Sequence, residues 1–343
     1  MKKHTILVIG ACGQIGIELT IALRKKHGNL NVIATDRYPN VVGNGPYFQL
    51  DVLNMGELTN LVRREKITQI YLLAAMLSVN GERNIQAAWQ LNMEGLLNVL
   101  KIGVAECLDK VFWPSSIAVF GPGSPKHFCP QDTLTEPSTV YGISKRAGEY
   151  WCKYYFEKYG LDVRSIRFPG LISYKSAPGG GTTDYAVDIF HQALETGRYE
   201  CFLNEDTCLP MMYMPDAIRA TIDLMDAPAD KLRIRGSYNL SAVSFAPCDL
   251  AASIKKHIPN FEITYLPDYR QVIADSWPAS INDTFARQDW DWQAQYSMQM
   301  IVTDMLQNLH KIKGIPVPGE INSVKDYPDF PQEEYVYKSP YHR

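Results

Sequence analysis

The chain has 343 residues, 46% of them hydrophobic and 21% charged, with 34 Lys and Arg against 37 Asp and Glu for a formal charge of −3. That length and apolar content suffice for a large core, and the dispersed, near-balanced charge argues against a nucleic-acid groove or an anionic membrane partner and leaves a small molecule. Seven cysteines without a CxxC pair argue against a disulfide framework and a zinc site, so no metal is expected and the thiols read as reduced.

Short β-branched runs at 5–9, 31–35, 69–73, 110–113 and 162–167 alternate with amphipathic segments at 15–26, 55–65, 85–106 and 140–159. This alternation predicts an α/β fold, a Rossmann-type doubly wound parallel sheet covered by helices. The first run is too short for the apolar core of a secretory signal, and no later stretch reaches the ~18 apolar residues of a membrane span, so a cytoplasmic protein is expected. In the helix at 140–159, Tyr150, Trp151, Tyr154, Tyr155 and Tyr159 recur at helical spacing, a stripe suited to packing against a second subunit.

Beyond about residue 170 the pattern loosens: a glycine loop at 179–181, an aromatic and proline-rich stretch at 265–278, then a helix at 293–310. The expected division is a dinucleotide-binding domain over 1–170 with returning segments from about 205–245, a smaller discontinuous substrate lobe mainly over 171–310, and a proline-rich tail over 311–343 that wraps the surface or is partly disordered.

The first run leads into Gly10-Ala11-Cys12-Gly13-Gln14-Ile15-Gly16. Glycines at a strand-to-helix turn let the backbone approach a pyrophosphate at a helix N-terminus. Asp36 ends the second strand, where a carboxylate accepts hydrogen bonds from the adenine ribose and repels a 2′-phosphate, which favours NAD over NADP although Arg37 stands beside it. Asp51 and Val52 follow a short apolar segment within reach of the adenine, and Leu73, Ala74 and Ala75 supply small groups along which a cofactor can lie. Tyr141 and Lys145 lie four residues apart, on one helix face, where a lysine charge favours the phenolate over the phenol. Ser116 stands upstream at the end of another strand. A serine, a tyrosine and a lysine on one α/β frame suit proton abstraction from a secondary alcohol.

These motifs, in this order over about residues 5–310, resemble the extended short-chain dehydrogenase/reductase superfamily, which includes sugar-nucleotide epimerases and dehydratases. The resemblance implies an NAD-dependent enzyme with Ser116 and Tyr141 at the reacting hydroxyl and Lys145 on the nicotinamide ribose. It also places Asn92 as a structural asparagine beside the cofactor, with Pro169 in the cofactor shell, and implies a homodimer formed through the helices at 85–106 and 140–159.

Longer strings, residues 113–121, 167–173 and 179–186, are more specifically similar to the branch of that superfamily that oxidises L-threonine at Cβ to 2-amino-3-oxobutanoate. The segment at 275–280, with Asp283 and residues 290–292, fits the same branch. There the substrate shell would be Ser78, Ser116, Tyr141, Thr182, Thr183, Asp184 and Trp277. Arg167-Phe168-Pro169-Gly170 lacks the asparagine typical of the sugar-nucleotide enzymes, and the loop hydroxyls and amides can hold a carboxylate while an acid holds an ammonium. A sugar-nucleotide epimerase or reductase, or a non-catalytic NAD sensor, stays open as an alternative.

Overall fold

The computed structural model describes residues 4–314; the expected tail lies outside the described residues from 315 onward. Strands β1 (Ile6–Ile9), β2 (Val32–Asp36), β3 (Tyr47–Gln49), β4 (Gln69–Leu72) and β5 (Lys110–Phe112) are followed by β6 (Ser115–Ser116), β7 (Val163–Arg164), β8 (Ile166–Phe168) and β9 (Gly170–Ile172). The main sheet has the order β3-β2-β1-β4-β5-β7 with all neighbours parallel. The strand order reverses between β1 and β4, so the carboxyl ends of those strands open a crevice at the switch point.

Alternation along β1 explains the two layers. Ile6 and Val8 face one apolar cluster, with Leu19 and Leu23 of α1 (Gln14–His27). Leu7 and Ile9 face the other, with Leu58 and Leu61 of α2 (Met55–Arg64). α3 (Ser78–Arg83), α4 (Ile85–Trp89), α5 (Gly95–Ala105) and α6 (Val140–Tyr159) follow in the chain. Leu96 and Val99 of α5 and Cys152 and Tyr155 of α6 join the second cluster, so all-apolar strands are covered on both faces.

The C-terminal part continues with α7 (Tyr185–Glu195), β10 (Arg198–Cys201), β11 (Leu209–Tyr213), α8 (Met214–Asp226), β12 (Tyr238–Asn239), β13 (Val243–Phe245), α9 (Pro247–Lys255), β14 (Glu262–Tyr265), α10 (Arg270–Asp275), α11 (Thr284–Trp290) and α12 (Met298–Lys313), and most of these elements build a third cluster. Of these, α7, α9 and α12 bury Phe190, Leu250, Met305 and Leu309 together with Ile117 and Phe120 from the turn after β6. α8 and β12 return elsewhere: Ala217 and Leu224 pack in the cluster of α1, and β12 pairs with β8.

Three expectations need correction. The strand at 162–167 divides at Ser165: β7 joins the main sheet, whereas β8 pairs with β6 and β12. The helix at 85–106 passes through a π-helical turn, Gln90–Glu94. The helix expected from 293 begins at Met298, because Ser297 caps it by accepting from Met300 N at 3.3 Å.

Candidate active site

At the end of β1, Gly10 N and Ala11 N both donate to Thr35 O, at 2.9 and 3.0 Å. Gly10 has φ 85°, and a Cβ there would lie 2.5 Å from Ala74 N; Gly16 is equally tight, since its Cβ would meet Gly10 O at 2.2 Å. Gly13 differs. A Cβ on it would meet only Gly10 O, at 3.4 Å, so the space above it is open. Gly13 is the N-cap of α1, no side chain caps this end, and no acid sits in the first turn containing Gln14 and Ile15. An uncapped helix start beneath an open glycine is a cradle for a phosphate.

Asp36 is fixed against this turn: its carboxylate accepts from Cys12 N at 3.0 Å and Tyr38 N at 3.2 Å. Arg37 is exposed, donating to Tyr38 Oη at 2.7 Å with its guanidinium over that ring. Of the neighbouring pair, only Asp36 borders the glycine loop. Leu73 N and Ala74 N both donate to Ile9 O, which ties the loop after β4 to the end of β1 and leaves Ala75 half-buried beside them. Asp51 is exposed and receives Leu53 N, and buried Val52 receives Asn98 Nδ2 at 3.1 Å through its carbonyl.

Asn92 stands in the π-helical turn and is buried. It accepts from Met76 N at 2.8 Å and donates to Met76 O and Ser144 Oγ, both at 3.1 Å. One side chain thus joins the loop after β4 to α6, the helix that carries Tyr141 and Lys145. A π-turn at such a junction re-aims a side chain that a regular helix would direct elsewhere.

α6 starts at Val140 because Thr139 caps it, accepting Gly142 N at 3.0 Å. Gly142, which sequence reading passed over, lets the helix seat: its Cβ would fall 2.2 Å from Ala118 O. Ser116 accepts from Ala118 N at 3.2 Å in the facing turn, with its hydroxyl near enough to the Tyr141 phenol to lower that group's pKa. Burial pushes the Tyr141 phenol up to about 12, with Ser116 pulling it back. Burial lowers Lys145 to about 7, against Cys152 and Glu149. Its Nζ donates to Pro114 O at 2.6 Å and lies 4.5 Å from the Trp113 ring centroid and 5.4 Å from that of Tyr141. The expected contact between ammonium and phenol is therefore made through the ring face.

A second unforeseen feature is a buried polar knot around Glu149, one turn beyond Lys145. It accepts from Arg167 Nε and NH2, each at 2.8 Å, and from Ser115 Oγ at 2.7 Å. Its partners come from remote segments, so no local spacing signals it. A bidentate pair of this kind holds β8, β6 and α6 together, so Arg167 is committed to the scaffold.

On the other side, Ser78 begins α3 and is buried, and Pro169 is buried between β8 and β9. Thr182 is 2% exposed and its Oγ1 has no hydrogen-bond partner among the described residues. Thr183 packs on Gly170, whose Cβ would meet it at 2.7 Å. The Asp184 carboxylate accepts Gly181 N at 2.8 Å; burial raises its pKa, against the amides of Gly181, Gly180 and Gly179. One of its oxygens is thus used to close its own loop. Trp277 is buried in the cluster that contains Ile117, Ile172 and Tyr185, and the Tyr141 ring packs on that cluster.

The model of the NAD dependent epimerase/dehydratase family matches residues 6–241. The chain belongs to that family. Its cofactor is NAD, and the Gly13 cradle with Asp36 beside it fits that group. An L-threonine 3-dehydrogenase, mitochondrial, of Bos taurus is 45% identical over 312 residues, covering 90% of this chain and 83% of its own. The solved holo form of an L-threonine dehydrogenase from Cupriavidus necator is 57% identical with a TM-score of 0.87, over 89% of this chain and 99% of that one. A structure described as a monomeric L-threonine 3-dehydrogenase, from metagenomic sequence, is 48% identical with a TM-score of 0.87, over 90% and 99% of the two chains.

Proposed function

We propose that this enzyme oxidises L-threonine at its Cβ hydroxyl to 2-amino-3-oxobutanoate. The observation that carries this reading is the approach of Ser116 to Tyr141 at the edge of a lobe whose loop offers hydroxyls and amides, Thr182 above all, with no base left over for a diphosphate beside it among the described residues. The nearby bases are engaged: Arg167 with Glu149, Lys175 with Glu18, and Arg270 with Asp268 over the Phe202 ring. The activity named for relatives 45–57% identical along nearly the whole chain supports the same assignment.

In this mechanism Ser116 holds the substrate hydroxyl and Tyr141 takes its proton. NAD, when bound on Gly10, Gly13 to Gly16, Asp36 and the Leu73–Ala75 loop, supplies the hydride acceptor. Lys145 lies against the Tyr141 ring and, while protonated, favours the phenolate as the proton leaves; burial lowers its pKa to about 7, so it carries this charge fully only below neutrality. Thr182, Thr183 and Ser78 bind the amino-acid head, the second oxygen of Asp184 faces its ammonium, and Trp277 closes the pocket against water. The test is absorbance at 340 nm on mixing enzyme, NAD and L-threonine, with L-serine, allo-threonine and a UDP-sugar alongside. NADH with L-threonine alone is expected; conversion of the UDP-sugar instead would overturn the assignment.

The finer biology follows the same reading. The seven cysteines are unpaired, which fits a reducing cytoplasm, and no described helix is long and apolar enough to cross a membrane. The aromatic stripe of α6 divides: Tyr155 turns inward, while Tyr150, Trp151, Tyr154 and Tyr159 are exposed beside Ile85 and Trp89 of α4. We assign that face to a homodimer. Sedimentation should give two subunits for the wild type and one for Trp151→Glu/Tyr154→Glu; one subunit in both would place this chain with its monomeric relative.

A further inference from the structure

Glu18 stands on α1 one turn beyond Gln14, and only 10% of its side chain is exposed. Burial pushes its pKa up, against the influence of Lys175 and Ser173. Ser173 Oγ donates to Glu18 Oε1 at 2.6 Å and accepts Lys175 N at 3.1 Å. The Lys175 ammonium lies 3.5 Å from Glu18 Oε2. Burying a carboxylate costs free energy that an apolar residue on the same face would avoid. Neither of its partners belongs to the main sheet. Both sit immediately after β9, at the root of a segment without regular structure that runs to the Thr182–Asp184 turn.

The same root also packs on the cluster that α12 helps to build, with Tyr174 and Tyr296 both against it. The Tyr174 phenol feels the charges of Glu18 and Asp304. Asp304, on α12, accepts from the Tyr213 hydroxyl, and the Tyr213 and Tyr296 rings lie 5.0 Å apart. The segment therefore leaves its strand tied to an acid on the helix that opens at the dinucleotide cradle, with the charge of a second acid on the C-terminal helix nearby.

We propose that Glu18 is a positioning residue that, through Ser173 and Lys175, fixes the root of segment 174–184 against α1 and so links occupancy of the dinucleotide cradle to the order of the amino-acid loop. The inference rests on the reading that Thr182 and its neighbours take the substrate. α1 reaches both ends of this linkage: Gly13 caps its N-terminus, and its second turn carries Glu18. Glu18→Gln keeps an acceptor for Ser173 but removes the charge facing Lys175. Ser173→Ala removes the hydroxyl that bridges the two.

Two measurements test this. Amide hydrogen exchange over 174–184, with and without NADH, should slow on NADH addition in the wild type; in Glu18→Gln and Ser173→Ala it should be faster and indifferent to NADH. In steady state both variants should raise KM for L-threonine about tenfold, the usual size of a coupling between sites, while kcat and the Kd for NADH change little. The double variant should be no worse than the poorer single one, because both break one connection. Equal NADH protection of the loop in variants and wild type would overturn the proposal. So would a parallel fall in NADH affinity and Tm, the mark of a purely structural residue. Should one variant fail to fold, Lys175→Met, at a half-exposed side chain, carries the same expectations. If the wild type does not oxidise L-threonine, the function assignment fails while the exchange experiment still decides this one.

Discussion

Around Gly10, Asp36 and Ala74 the site is held by backbone: strand-end amides donate to Thr35 O and Ile9 O, and Asp36 is clamped by two main-chain N–H groups. Around Thr182, Asp184 and Trp277 the contacts are side-chain burial and a loop closed on its own carboxylate. The difference follows from what each end has to bind. A pyrophosphate is met by a helix terminus, which any sequence with glycines in the right places supplies. An amino-acid head needs separate groups for a carboxylate, an ammonium and a hydroxyl, which come from distant segments. The proposed catalytic pair lies on the seam, with Asn92 and the Glu149 knot bolting the two halves together.

The largest effect should come from the seam. Tyr141→Phe is expected to cut kcat by about 10²–10⁴, the usual share of a general base, while NADH still binds, as followed by its fluorescence. The pH dependence has a definite sign. In the proposed mechanism Tyr141 works as the phenolate, and with its pKa pushed up to about 12 in the free site its ionisation makes kcat/KM rise as pH increases from neutrality, less steeply once Lys145, lowered to about 7, gives up its charge. Residual turnover in Tyr141→Phe should lose that slope. Full activity would remove the base from the mechanism.

Legibility in the sequence divides along the same line. The places of Gly10, Gly13, Asp36, Ser116, Tyr141 and Lys145 in the fold were readable because each lies within a few residues of a strand end or helix start, where spacing and geometry are the same thing. The break between β7 and β8 at Ser165 was not, since one apolar run reads alike whether it serves one sheet or two. Nor was the committed state of Arg167: Glu149 and Asn239, to which it donates, come from remote segments. The π-turn at Asn92 was hidden because periodicity over 85–106 is blind to one inserted residue.

The next effect separates two glycines of one motif. Gly13→Ala should fold, paying about 1 kcal/mol for a poorer N-cap, yet bind NADH about tenfold more weakly or worse, because its Cβ enters the cradle. Gly10→Ala should give no stable protein, since its Cβ would be driven against Ala74 N at a φ of 85°. Calorimetric Tm and NADH titration distinguish the cases. Tight NADH binding by a folded Gly13→Ala would mean that the pyrophosphate lies elsewhere.

The smallest effect tests the other half. Thr182→Val preserves shape and removes a buried hydroxyl that has no partner among the described residues. A buried polar group without a partner costs about 1–3 kcal/mol. If the hydroxyl waits for a ligand, its removal should therefore leave Tm unchanged or raise it. The same change should raise KM for L-threonine severalfold, in line with the loss of one hydrogen bond worth about 1 kcal/mol. Stability and affinity then move in opposite directions. A structural hydroxyl satisfied by solvent gives the reverse pattern, a lower Tm with KM untouched. Gly13→Ala in the backbone-held half should lower both stability and binding, so the pair of variants separates an end built to hold the chain from an end built to hold the substrate.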